Sequence, residues 1–266
     1  MVSKETLDQI KSLPLAQMVK REPWRASLPH SETSHTLLWI TRGQGRITVA
    51  GRRSGFGTHN AIFIPAGTMF AIEPGTGTFG SVIFLPQDER LGLPTDPVHL
   101  RTRDVSAHKE FNANLEQLQR ELDSERPGQD RAAFAYAALL GVWLDRQHAE
   151  EAAAQYSDAA TRLVARYTRL IENKYPTGHN VQHYATALGV TATHLTRVCN
   201  QVSGQPASQV LNDRVMYEAR RLLRDTKEPV NAIAKSLGFS TPAYFTRAFQ
   251  SHSTMTPSAY RNGAHI

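Results

Sequence analysis

The feature that most constrains this chain is an internal repeat at a period of about 50 residues in its C-terminal part. His183–Pro206 reads HYATALGVTATHLTRVCNQVSGQP and Ala232–Pro257 reads AIAKSLGFSTPAYFTRAFQSHSTMTP. Both copies run Ala-x-x-Leu-Gly, an apolar residue, a Ser/Thr cap, then Leu/Phe-Thr-Arg inside a second helix. Gly189 and Gly238 fall where a first helix must stop and turn, a position that favours left-handed backbone angles. Val190 and Phe239 are placed to plug the core beside the turn. Thr191 and Ser240 are placed to cap the second helix. Leu195, Val198 and Cys199, and Phe245, Ala248 and Phe249, form the inward stripes. A single helix-turn-helix pattern is common in all-α cores, but two in tandem are specific. Ala207–Arg224, between them, lacks Gly and Pro and carries Val210, Leu211, Val215, Ala219, Leu222 and Leu223 on one stripe, so it reads as a connecting helix about 27 Å long.

Charge separates this half from the rest. Residues 1–157 hold 17 basic and 18 acidic residues, whereas 158–266 hold 13 and 6, so the whole excess of the +6 chain lies with the repeat. A basic surface on two such units points to double-stranded DNA, with the second helix of each unit entering a major groove. The outward positions expected to face DNA are Ala192, Thr193, Thr196 and Arg197 in the first copy, and Pro242, Ala243, Tyr244 and Arg247 in the second.

The N-terminal half has a different texture. TLLWI, RITVA, AIFIP, MFAIEP and SVIFLP are short apolar runs bounded by turn residues, as in an antiparallel β-sandwich or barrel. Before them, Leu7, Ile10 and Leu13 suggest a lead-in helix, and 87–103 reads as a loop. Two helices follow. The first spans about 104–123, with Phe111, Leu115, Leu118 and Leu122 on one stripe. The second spans about 129–148 and is more apolar than one sheet face needs, so it serves either a subunit contact or packing on the sheet. The Ala/Glu/Gln-rich segment 149–157 reads as a hinge.

Other chemistry is disfavoured. The only cysteine is Cys199, which leaves no disulfide and no thiolate zinc site, and its place on the inward stripe argues against a nucleophile. The longest uncharged apolar stretch, Ala132–Leu144, is too short to span a bilayer, and the N-terminus lacks a signal-peptide core; a cytoplasmic, non-membrane chain is expected. Gly75-Thr-Gly77-Thr-Phe-Gly80 matches GxGxxG, but a strand follows it, so these glycines read as hairpin turns.

On GFSTPAYFTRAFQSHSTMTPSAYR (Gly238–Arg261), with Gly204, Arg214, Ala219 and Leu222–Leu223 upstream, the chain resembles the AraC/XylS family of bacterial transcription regulators. The resemblance is specific over 158–262. It departs at Thr254, where the family usually has Gly, and at Pro242 and Ala243, which are often polar. It implies seven helices carrying two helix-turn-helix units, with base contacts from Thr193, Thr196, Arg197, Tyr244 and Arg247. It also implies a cupin-like N-terminal sensor, and residues 24–90 resemble a degenerate one. In the metal-binding frame only His30 stands in place; Glu32, Thr36 and Phe70 occupy the other ligand positions, so no metal and no cofactor are expected, although His35 and Glu32 lie nearby.

The expected fold is α+β in two domains: a cupin-like antiparallel β-barrel at 1–103, helices at 104–148, a hinge at 149–157, and an all-α DNA-binding domain at 158–266. The expected function is a sequence-specific regulator, activator or repressor, that responds to a small-molecule effector, forms a homodimer and contacts RNA polymerase, and is not an enzyme. Trp39, Arg46, Phe63 and Phe70 are the expected effector-pocket residues. The alternatives are a constitutive dimeric regulator whose barrel binds nothing, and a cupin-fold enzyme tethered to DNA.

Overall fold

The computed structural model describes residues 10–20, 22–151 and 158–263. They divide into two compact units: one is formed by residues up to 27 with 31–49 and 54–151, the other by 158–263 with 28–30 and 50–53.

The first unit holds eight strands: β1 (Lys11–Pro14), β2 (His35–Arg42), β3 (Gly45–Val49), β4 (Arg52–Phe56), β5 (Asn60–Ile64), β6 (Phe70–Pro74), β7 (Phe79–Leu85) and β8 (Val98–Arg101). Two short helices, α1 (Leu15–Lys20) and α2 (Pro23–Ser27), lie between β1 and β2. The strands form a five-stranded sheet in the order β1-β7-β2-β5-β8 and a three-stranded sheet in the order β4-β3-β6, rather than one closed barrel. The strand pairing of the larger sheet is antiparallel throughout.

Strand β2 shows why two layers cover this sheet. Its run of five consecutive buried residues lacks the polar alternation of a half-solvated strand. Because successive side chains point to opposite faces, Leu38 and Ile40 join Ile47, Val49, Ile62, Ile64, Phe70, Ile72 and Val82 in a core between the sheets. Leu37 and Trp39 join Phe63, Ile83 and Leu100 in a second core closed by α3 (Val105–Leu122) and α4 (Gln129–Glu151). Phe111, Leu115 and Leu118 of α3, and Leu140, Trp143 and Leu144 of α4, fill that core. Asp104 caps α3, accepting from the amides of Ser106 and Ala107. Packing on the sheet thus takes most of the apolar surface of α4, leaving Leu139 and Val142 exposed at 45% and 41%.

Four expectations need correction. Residues 11–14 are a strand paired with β7, not part of a lead-in helix. The expected loop 87–103 contains β8, whose Val98 and Leu100 are buried while its partner β5 supplies the hydrogen bonds. The turn at Gly75–Thr78 joins strands of different sheets, so it is not a hairpin. Helix α4 continues to Glu151, into the expected hinge; residues 152–157 lie outside those described, as do Leu7 and the rest of 1–9. No helix among the described residues is long and apolar enough to cross a membrane.

The second unit contains seven α-helices among its described residues: α5 (Ala159–Lys174), α6 (Val181–Ala187), α7 (Ala192–Ser203), α8 (Ala207–Asp225), α9 (Val230–Ser236), α10 (Pro242–Ser253) and α11 (Pro257–Arg261). A 3₁₀ turn, Tyr175–Thr177, follows α5. Helix α8 is buried almost all round, including Asp213, Arg214 and Glu218, which the apolar stripe alone does not foretell. The polar groups are tolerated there because they pair: Arg214 Nε donates to Glu172 Oε1 at 2.8 Å, its Nη1 lies 3.5 Å from Glu218 Oε2, and its guanidinium sits 3.9 Å from the Tyr175 ring.

Candidate nucleic-acid interface

Each helix-turn-helix is built by the same local chemistry. At the end of α6, Gly189 adopts φ 72°, and the amide of Val190 reaches back to Ala185 O at 3.0 Å. At the end of α9, Gly238 adopts φ 76°, and the amide of Phe239 reaches Ala234 O at 3.0 Å. These are Schellman endings, in which the left-handed residue lets the next amide satisfy a carbonyl one turn back. The second helix then starts on a threonine cap. Thr191 Oγ1 accepts from His194 N at 3.1 Å, and Thr241 Oγ1 accepts from Tyr244 N at 3.2 Å. The second cap is therefore Thr241 and not Ser240: the second copy carries one extra residue in its turn, which moves the repeat spacing from 49 to 50 across it.

Leu195, Val198 and Cys199 of α7, and Phe245 and Phe249 of α10, are buried, while Ala248 is half-buried. Burial pushes the Cys199 thiol up to about 12. It also pushes the Tyr167 phenol up, and the Tyr167 hydroxyl donates to Ala207 O at 2.8 Å, tying α5 to the start of α8. At the head of α5, Asp158 accepts from Thr161 Oγ1 and from the Thr161 amide, and these bonds hold its carboxyl below the usual range.

The opposite faces are open. Thr193 and Arg197 are exposed, and Ala192 and Thr196 are half-exposed. These four line an open cleft of about 540 Å³ with Val181, Asn200 and Ser208. Arg197 Nη2 donates to His194 Nδ1 at 3.4 Å, which holds the guanidinium along the helix. In α10, Pro242, Ala243, Tyr244 and Arg247 are all exposed, Tyr244 by 54%. The Phe239 ring lies 5.7 Å from Tyr244 and steadies it. All eight expected positions therefore share the outward faces of α7 and α10. Sequence reasoning missed Asn200 and Gln250, exposed one turn beyond Arg197 and Arg247; helical spacing could have found both.

The expected effector residues do not line one cavity. Trp39 and Phe63 are fully buried on the helix-facing side of the large sheet, where Trp39 Nε1 donates to Asn112 Oδ1 at 2.9 Å. Phe70 is buried on the other side, between the sheets. Arg46 is exposed, with Nη2 3.4 Å from Glu73 Oε2. The aromatics are separated because Trp39 and Phe63 lie on strands of the large sheet and point to its helix-facing side, whereas Phe70 lies on β6 of the small sheet and points into the core between the two.

The metal frame is likewise unsuited to an ion. Thr36 is buried in β2 and Phe70 in the intersheet core. His35 Nδ1 accepts the Ala66 amide at 3.2 Å, and burial pulls its imidazole below the usual value. Glu32 is pushed up by burial, against the pull of Arg25. No cluster of three or more His, Cys, Asp or Glu side chains suited to a metal occurs among the described residues.

A family model described as "Helix-turn-helix domain" matches residues 184–263. The chain is similar to the HTH-type transcriptional regulator YisR of Bacillus subtilis, at 28% identity over 43% of this chain and 40% of that relative, so it spans about two fifths of that protein's length. It is similar at 30% identity to the probable transcription factor PqrA of Proteus vulgaris, over 32% of this chain and 69% of the relative. Among solved structures, ToxT from Vibrio cholerae aligns over 96% of this chain and 98% of its own, at 11% identity and a TM-score of 0.45. With the tandem units in place and more than two thirds of a relative matched at 30% identity, the chain belongs to the AraC/XylS family of helix-turn-helix regulators.

Proposed function

We propose that the chain binds double-stranded DNA sequence-specifically and regulates transcription, with α7 and α10 as its two recognition helices. The observation that carries this reading is the matched pair of capped helices whose outward faces present Thr193, Thr196 and Arg197, and Ala243, Tyr244 and Arg247, in the half of the chain that holds the charge excess. Arg197 and Arg247 stand at equivalent positions, each able to pair with guanine O6 and N7 in a major groove. The first unit acts as a sensor and, through α4, as a homodimer contact. A small-molecule effector shifts the population of DNA-competent states, and RNA polymerase contact determines whether transcription rises or falls.

A second reading, a constitutive dimer without effector, is favoured by one observation: both faces of the large sheet are filled by side chains. Selection from a random duplex library by the purified full chain tests the central claim. Enrichment of a defined sequence supports it, and binding equal across sequences with a steep salt dependence refutes specificity. Repeating the selection with and without a metabolite panel separates the two readings.

A further inference from the structure

The loop that enters the first helix-turn-helix meets the turn of the second backbone to backbone. Gly178, at φ 70° after the 3₁₀ turn that follows α5, lies against Gly238, the turn glycine of the second helix-turn-helix. A Cβ on Gly178 would stand 2.3 Å from Gly238 O, and a Cβ on Gly238 would stand 2.3 Å from Gly178 N and 2.7 Å from Thr177 C. The obstructing atoms are main chain, so no rotamer change can relieve either approach.

The same turn is held from the other side. Arg214 of α8 bonds Glu172 at 2.8 Å and stacks 3.9 Å from Tyr175, within the segment that leads into Gly178. The first helix-turn-helix is entered directly from Gly178, because Asn180 caps α6 by accepting from His183 N. The recognition helix of the second helix-turn-helix leaves Gly238 after only three residues, at Pro242. A shift at this contact is therefore passed straight to the separation of α7 and α10.

We propose that the Gly178–Gly238 contact, clamped by Arg214, is a spacing gauge: it fixes the two recognition helices as one rigid reader, so that operators are selected by the distance between two half-boxes as well as by their bases. This rests on the DNA-binding reading above. One base pair is about 3.4 Å of helix rise, so an opening of an ångström or two, enlarged along α10, is enough to admit a neighbouring spacing.

The test is selection from a random duplex library by the full-length chain, followed by measurement of the distance between enriched boxes. Gly178→Ala is compared with Gly67→Ala, a matched control outside the DNA-binding helices: Gly67 has φ 72°, the same strain, but open space where its Cβ would go. The wild type and Gly67→Ala are expected to enrich two boxes at one spacing. Gly178→Ala is expected to enrich the same boxes spread over two or more neighbouring spacings, and to bind the wild-type duplex about tenfold more weakly. If Gly178→Ala loses the native circular dichroism spectrum, Glu172→Gln, which loosens the clamp without a clash, takes its place with the same spread expected. A single unchanged spacing in the tested variant, or equal broadening by Gly67→Ala, overturns the gauge alone. A wild type that enriches no sequence overturns the DNA-binding reading, and the gauge with it.

Discussion

Gly204 and Thr254 end the two recognition helices in the same left-handed conformation, at φ 75° and φ 64°, each donating its amide one turn back, to Asn200 O and Gln250 O. Only one of them is suited to it. A β-branched residue in this region is strained by roughly 1–2 kcal/mol. Thr254→Gly is expected to raise the midpoint of thermal unfolding by several degrees, and Gly204→Thr to lower it by a similar amount, both read by calorimetry.

The recognition-helix arginines should differ from ordinary surface charges. Arg197→Ala and Arg247→Ala are each expected to cost about 1–3 kcal/mol of binding and to relax preference at one base. A uniform loss across all sequences, with a salt slope shallower by about one, would assign the side chain to phosphate instead.

Arg214 is predicted to be the most sensitive polar position of the second unit. Its side chain and that of Glu172 are 6% and 9% exposed, and removing one partner leaves the other charged and buried, which costs about 3–5 kcal/mol. Arg214→Ala should show that loss in urea unfolding. Arg214→Lys should recover little of it, because an ammonium cannot both bond Glu172 and stack on Tyr175.

Cys199 gives a pH prediction with a definite sign. Its folded thiol is pushed by burial from 9.0 up to about 12, so the stability linked to it is complete below pH 9 and declines as pH rises toward 12, while the unfolded thiol ionises. A disulfide reagent at pH 8 should label Cys199 only at the rate at which the protein opens. Prompt labelling of native protein would contradict its burial.

The exposed apolar face of α4 bears on assembly. If it joins two copies, Leu139→Lys with Val142→Lys should convert a sedimenting dimer to monomer and leave the melting temperature of the monomer nearly unchanged. A dimer that survives both substitutions would place the contact elsewhere.

Glycine and threonine punctuation made the second unit legible in the sequence: Gly189, Gly238 and Thr191 are required by turn and cap geometry whatever surrounds them. The extra residue that moved the second cap to Thr241 was hidden because Ser240 and Thr241 are both favoured cap residues, serine the more so. The buried charges of α8 were unreadable because their partners are distant: Glu172 lies 42 residues before Arg214. In the first unit, apolar runs marked the strongest strands, but RRSGF and VHLR are too short and too polar to stand out. The presumed pocket failed for a different reason. Aromatic type was legible, but which sheet a strand joins is set by distant partners: β2, with Trp39, pairs with β5 and β7, whereas β6, with Phe70, pairs with β3 in the other sheet.

The two-sided burial of β2 sets a timing problem for the nascent chain. Its partners on one side, α3 and α4, are completed about a hundred residues after its own last residue, which at roughly 5–20 residues per second is a wait of about 5–20 s. During that interval Leu37 and Trp39 have no helices to cover them, and β1 and β8 are the narrow edges of an incomplete sheet. Slowed synthesis between the two points, or loss of Phe111 or Trp143, would thus reduce yield by aggregation before any folded molecule exists to be destabilised.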